Sequence, residues 1–161
     1  MSICYIKNLP HKEYIRSGVI PYKKLSNGNN EFCFGIDSKH LSVGSFSGSL
    51  KKGESVVDAG LREFSEESLG VFDIIDKKDI MNCIAVYDDL QVIMFLPINW
   101  TSGLNEKFLK RKTYTSEMSS LVFYEYEELF NIIAGFTNVK FHWKVSRLLM
   151  DSIEINGDFM K

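Results

Sequence analysis

Over residues 56–69 the apolar side chains Val57, Leu61 and Phe64, followed by Ser68, recur at spacings of four, three and four. That is the repeat of an amphipathic helix, whose apolar stripe has to be laid on a second layer of structure. Ser55 with Asp58 three residues on gives a capping-box start, and Gly70 a terminator. Gly60, inside the same helix, costs about 1 kcal/mol relative to Ala.

The receiving layer is read from short β-rich runs. Residues 15–22 (IRSGVIPY) and 31–37 (EFCFGID) predict a hairpin closed by Asn27-Gly28, a pair suited to positive φ. A third run over 41–46 leads into the Gly/Ser segment Ser47-Gly48-Ser49 and then Lys51-Lys52-Gly53. Two more strands are expected over 81–87 and 90–98, joined across Asp88-Asp89, and another over 121–126. Residues 101–120 are polar and read as a long loop or short irregular element. A final helix is expected over 141–153, with Val145, Leu148, Leu149 and Ser152 on one side. The sum is an α+β chain: a largely β sheet, one helix mid-sequence and one near the end, in an α/β/α arrangement.

A chain of 161 residues, 45% hydrophobic and 25% charged, is an ordinary globular sequence and reads as one domain over 1–161. Its formal charge of −2 argues against a dedicated duplex-DNA binder, which needs many phosphate-neutralising side chains. Cys4, Cys33 and Cys83 are odd in number, far apart and without C-x-x-C, so neither a disulfide framework nor a zinc cluster is indicated. With no secretory leader and no apolar run long enough for a bilayer, a soluble, cytoplasmic protein is the expectation.

The chemistry lies in residues 48–71, GSLKKGESVVDAGLREFSEESLGV. Glu63, Glu66 and Glu67 stand at i, i+3 and i+4, so the helix carries three carboxylates on one face, read as opposite the apolar one. Like charges at these spacings repel, and the last turns of a helix present its negative end. A solvated acidic face is one explanation. The other is a hard divalent cation, Mg²⁺ or Mn²⁺, held by carboxylates and by substrate phosphates.

Gly48, Glu54 and Arg62-Glu63-Phe64-Ser65-Glu66-Glu67 resemble the Nudix box, G-x5-E-x7-R-E-U-x-E-E-x-G-U, with U a bulky apolar residue. The closing glycine, Gly70, sits one residue later than the pattern, which puts the helix exit in question and leaves the carboxylate spacing intact. The resemblance implies the family's α/β/α sandwich, with a mixed central sheet and the box helix packed on it. It implies that Glu66 and Glu67 bind metal, that Glu63 lies beside it as ligand or water-orienting group, that the Gly48 carbonyl completes the set, and that Arg62 and Glu54 hold these side chains in place. The reaction would be attack of water on a pyrophosphate phosphorus. Some members take their base from a later loop, and Glu117 is the candidate here.

Lys51, Lys52, Arg16 and Tyr22 are candidate substrate-binding residues, with Lys23 and Lys39 as further cations and Phe32 or Phe34 as alternative stacking rings. The cluster Lys107, Lys110, Arg111 and Lys112 is either a guide for an RNA or polyphosphate chain or a charged loop. His11, His40 and His142 show no ligand spacing and receive no role. With Arg62-Glu63-Phe64, Glu66-Glu67-Ser68 and the later glycine, the box is most similar to viral-type Nudix enzymes, some of which remove the 5′ cap of mRNA. The implied substrate is a nucleotide or capped RNA. Dinucleoside polyphosphates, nucleotide sugars, oxidised nucleoside triphosphates and inositol pyrophosphates are alternatives within the enzyme class. A non-catalytic Nudix-fold module that binds a nucleotide or a protein is the alternative outside it. Many family members dimerise, so a homodimer is also within what the resemblance implies.

Overall fold

The computed structural model describes residues 2–73 and 75–161. At the centre of one mixed sheet, β2 (Arg16–Lys24) and β7 (Gln91–Pro97) run parallel. Antiparallel neighbours extend it: β6 (Ile84–Tyr87) and β1 (Ser2–Tyr5) beyond β7, and β3 (Asn30–Asp37) with β8 (Met118–Glu125) beyond β2. β2 and β3 pair only at Tyr22, Lys23 and Lys24. Further along they part. β5 (Phe46–Ser49) takes over the pairing with Arg16 to Val19, while β4 (Val43–Gly44) takes over with Gly35 and Ile36. The site lies in this split.

Side chains alternate across the sheet, so each strand feeds two cores. Val19, Cys33 and Met94 face one layer, where α1 (Val56–Glu67) and α3 (Leu104–Arg111) contribute Phe64 and Phe108. Ile20, Phe34 and Ile93 face the other, where α4 (Tyr126–Ile133) and α5 (Trp143–Ile155) contribute Leu129 and Leu148. The expected α/β/α sandwich is present. A short α2 (Lys77–Ile80) precedes β6.

α1 lies unusually close to β2. Ser17 Oγ donates to the Val56 carbonyl at 2.7 Å, and a Cβ at Gly60 would collide with Met94 Cε and Ser17 Oγ. Gly60 therefore exchanges helix propensity for close approach to the sheet. At the start of α1 the Asp58 N–H donates to Ser55 Oγ at 3.1 Å, but the Asp58 carboxylate pairs with Lys77 Nζ instead of reaching back, so only half of the expected capping box forms.

Several expectations are corrected. The run over 41–46 is not one strand: the strand is interrupted at Ser45, and the Gly/Ser segment Ser47-Gly48-Ser49 belongs to strand β5. Residues 101–120 contain α3 and the start of β8, because Leu104 and Phe108, one helical turn apart, suffice to anchor a polar helix. The described residues hold five α-helices, not two. In the β2–β3 turn Gly28 alone takes positive φ, at 86°. At the end of α1, Leu69 occupies the place where the box pattern has glycine and adopts φ 57°, followed by Gly70 at 66°. The Gly70 N–H donates to the Ser65 carbonyl, and Arg111 donates to the Leu69 carbonyl at 2.9 Å, so the late glycine gives a helix exit of two consecutive left-handed residues. Among the described residues no helix is long and apolar enough to cross a membrane.

Candidate active site

Gly48 lies opposite Ser17 in the ladder, and its Cα faces α1. A Cβ there would fall on the Glu63 carboxylate, so the absence of a side chain is what lets that carboxylate lie against the strand. Arg62 fixes the arrangement from the side. Its Nε and Nη2 donate to the two oxygens of Glu54 at 2.8 and 2.9 Å, and its Nη1 to Glu63 at 2.9 Å. Nη2 also donates to the Ser49 carbonyl at 3.0 Å, tying β5 to the helix. Hydrogen bonds from Arg62, and then from the Lys51 N–H, hold the Glu54 carboxyl down at about 2, and Glu54 raises Arg62 in turn.

Glu67 is buried, at 7% exposure, so the carboxylates do not all lie opposite the apolar face. The last turn of α1 shares the cleft lining with Ser47, Gly48 and Ser49 of β5. Glu67 Oε1 has no hydrogen-bond partner among the described residues. Burial first, then the adjacent Glu117 carboxyl and the Glu63 charge, push Glu67 up to about 10, against a smaller opposing effect of the Ser47 backbone N–H.

A cleft of about 440 Å³ brings together Gly48, Glu63, Glu67, Glu117 and Arg16. These come from β5, α1, the segment before β8, and the start of β2. The other candidates lie elsewhere. Glu66 turns outward, its side chain 57% exposed and 3.4 Å from Arg62 Nη1. Lys51 and Lys52 line a separate cavity of about 880 Å³, which is larger but holds none of Glu63, Glu67 and Glu117. Tyr22 is half-buried against Phe32, six residues along β2 from Arg16 and outside the cleft lining. Phe32 and Phe34 are core residues. Lys23 donates to the Trp100 carbonyl at 3.0 Å and covers that ring, and Lys39 is exposed. Lys107, Lys110 and Arg111 belong to α3 and Lys112 caps it, all outside the cleft lining.

One cleft residue carries no local signal. His142 lines the cavity because the Val43 carbonyl accepts its backbone N–H at 2.8 Å, continuing the β4 pairing that starts at Lys140. Only long-range strand pairing brings it there, so no spacing rule finds it.

Beside the single His142 ring, the donors of the cleft are oxygens: the carboxylates of Asp37, Glu63, Glu67 and Glu117 and the carbonyls of a glycine-containing strand, with a buried, unpartnered carboxylate oxygen among them. Such a set fits a hard divalent cation, which would supply the missing positive charge, and does not fit zinc. Among the described residues no three His, Cys, Asp or Glu side chains already stand grouped at ligand separation.

No family model matches this chain, and no curated protein matches it. Solved structures do. The Nudix domain of Shewanella oneidensis NrtR, solved in complex with ADP ribose, is similar at TM-score 0.52 and 11% identity over 91% of this chain and 95% of that one. A Nudix hydrolase from Nitrosomonas europaea gives 0.49 at 12% identity over 87% and 88%. An Ap4A hydrolase from C. elegans, in a binary complex, gives 0.46 at 18% identity over 89% and 90%. The first of these, with the mixed sheet split between β2 and β3 and the acidic helix laid across it, shows that this chain has the Nudix fold.

Proposed function

We propose that the chain is a metal-dependent Nudix hydrolase that cleaves the pyrophosphate bond of a nucleoside diphosphate linked to another moiety. The observation that carries this reading is the buried Glu67 carboxyl, unpartnered at Oε1 and crowded by Glu63 and Glu117 in one cleft. Natural sequences break local rules of charge and burial chiefly where function requires it.

Glu63 and Glu67, with the Gly48 carbonyl, are the groups that would hold Mg²⁺ or Mn²⁺. The metal would neutralise charge on the phosphate oxygens as the bridging bond breaks. Glu54 and Arg62 keep Glu63 against β5. Glu117, exposed at the cleft mouth, takes the proton of the attacking water; the new P–O bond forms as the bridging P–O bond breaks, and the leaving phosphate departs with the electron pair. Arg16 meets the phosphates from the β2 side.

Among substrates, the 5′ cap of mRNA is the finer reading, resting on the box and its late glycine. The experiment is a panel of capped RNA, free cap analogue, dinucleoside polyphosphates, nucleotide sugars and ADP ribose with Mg²⁺ or Mn²⁺, with Glu67→Gln as control. Turnover by the parent and its loss in the variant are expected. No turnover of any compound refutes the hydrolase reading, and full turnover by Glu67→Gln defeats the catalytic assignment of this cleft. Release of methylated guanosine diphosphate from capped RNA in preference to free analogue supports decapping, and the reverse preference defeats it.

A further inference from the structure

We propose that His142 is a phosphate-binding residue of this cleft, acting with Arg16 on the wall opposite Glu63, Glu67 and Glu117. The inference rests on the reading of the cleft as a pyrophosphate site and adds a residue to it.

The pleat of β2 separates the two walls. Ser17 leaves the strand toward α1, where it bonds Val56, and Arg16 leaves by the other face, the one that carries Ile20 toward α5. His142 immediately precedes α5 and lines the same cavity as Arg16. The cleft therefore carries Glu63 and Glu67 on the α1 side and a guanidinium and an imidazole on the α5 side, with the Asp37 carboxylate of β3 also in its lining. A polyphosphate held between metal-bound carboxylates and a cationic wall needs both.

The imidazole is not spoken for by the fold. Its Nδ1 is buried with no partner among the described residues, and its side chain does not cap α5. A polar ring atom left unpaired at a cavity wall costs free energy that a ligand oxygen recovers, once the ring turns about its Cβ–Cγ bond. The groups around it are Arg16 from β2, Lys144 from α5, Asp37 from β3 and His40 from the following turn. Burial, then Arg16 and Lys144, hold the imidazole below its usual range against the opposing Asp37. A phosphate dianion seated there accepts a hydrogen bond from the ring and favours its protonation.

The test uses protein labelled with ¹⁵N-histidine and titrated, in Mg²⁺, with methylenediphosphonate, a pyrophosphate analogue whose bridge cannot be hydrolysed. The His142 ring resonances are expected to shift and its titration midpoint to rise, with the exposed His11 as internal reference. Mg²⁺ alone should leave His142 in place. His142→Ala should weaken the analogue roughly tenfold and raise KM with kcat nearly unchanged, and His142→Gln, which keeps an N–H donor, should recover part of the loss. A stationary His142 signal at saturation overturns the inference while leaving the cleft reading intact. Failure of the parent protein to bind the analogue at all overturns both. If His142→Ala does not fold, the resonance shift in the parent protein decides.

Discussion

The Cα of Gly48 lies directly against the carboxylate of Glu63, so strand β5 and helix α1 meet at a point where only a hydrogen atom fits. Glycine in a strand interior ordinarily weakens it by about 0.5 to 1 kcal/mol relative to Ala. Here the close approach reverses the expectation. Gly48→Ala is expected to lose about 1 to 3 kcal/mol through overpacking and to lower kcat at least tenfold by displacing Glu63. Thermal melting and initial rates check this. Adding Glu63→Ala to Gly48→Ala should restore much of the stability and none of the activity, whereas a Gly48→Ala protein that melts and turns over like the parent would show that the two groups do not meet.

Glu67 sets a pH dependence of unusual sign. Its carboxyl binds a proton more tightly in the folded chain, at about 10, than in the unfolded chain, near 4.5. Between these values the native state holds a proton that the unfolded state has lost, so metal-free stability falls as pH rises through that window. Glu67→Gln, neutral at every pH, should flatten the slope. In a chelator at pH 8 it should melt a few degrees above the parent, an order of about 1 to 2 kcal/mol. Mg²⁺ or Mn²⁺ should reverse the ranking by stabilising the parent alone. Parallel pH–melting curves for both proteins would show that Glu67 is not the titrating group.

Arg62 holds five acceptors in one plane of donors, a task for which a lysine has the charge and lacks the geometry. Arg62→Lys is expected to reduce kcat roughly ten- to a hundredfold with the fold retained. Glu54 answers in stability. Its carboxyl is depressed to about 2, so its contribution is present above about 4.5 and is lost as pH falls toward 2. In Glu54→Gln that acid limb of the stability curve should be shallower, which acid titration followed by circular dichroism measures.

The box helix was legible because its signals are local: a serine cap, a four-three-four repeat and carboxylates a turn apart all fall within 14 residues, 55–68. What Glu67 faces was not legible. Helical spacing groups it with Glu66, yet one is buried and the other turns to solvent, because which side of α1 meets the sheet depends on contacts such as Ser17 with Val56, far apart in sequence. α4 escaped notice because β8 runs into it without a loop and its capping box is built from Glu125 and Glu128 instead of the usual hydroxyl residue. α3 buries only Leu104 and Phe108, too few for a pattern. Lys51 and Lys52 follow Gly48 closely in sequence, but the strand direction carries them past the cleft, while Arg16 arrives beside it through the ladder with Ser49.

Gly60 offers the sharpest contrast between propensity and packing. In the interior of an isolated helix, Gly→Ala stabilises by about 1 kcal/mol, because the unfolded glycine has more freedom to lose. In this chain the added methyl would strike Met94 Cε, a yielding thioether end, and Ser17 Oγ, which is committed to the Val56 carbonyl at 2.7 Å. Methionine can move; the hydroxyl can retreat only by giving up a buried hydrogen bond. Gly60→Ala is therefore expected to destabilise by about 1 to 3 kcal/mol, and the double change Gly60→Ala with Ser17→Gly, which removes the obstructing hydroxyl, to recover part of it. Because α1 would be lifted from β2 with its carboxylates, activity should fall in the single variant by more than its unfolded fraction accounts for. Chemical denaturation of the three proteins, with rates measured well below the transition, reads both effects; a Gly60→Ala protein more stable than the parent would mean that helix propensity outweighs the contact with the sheet.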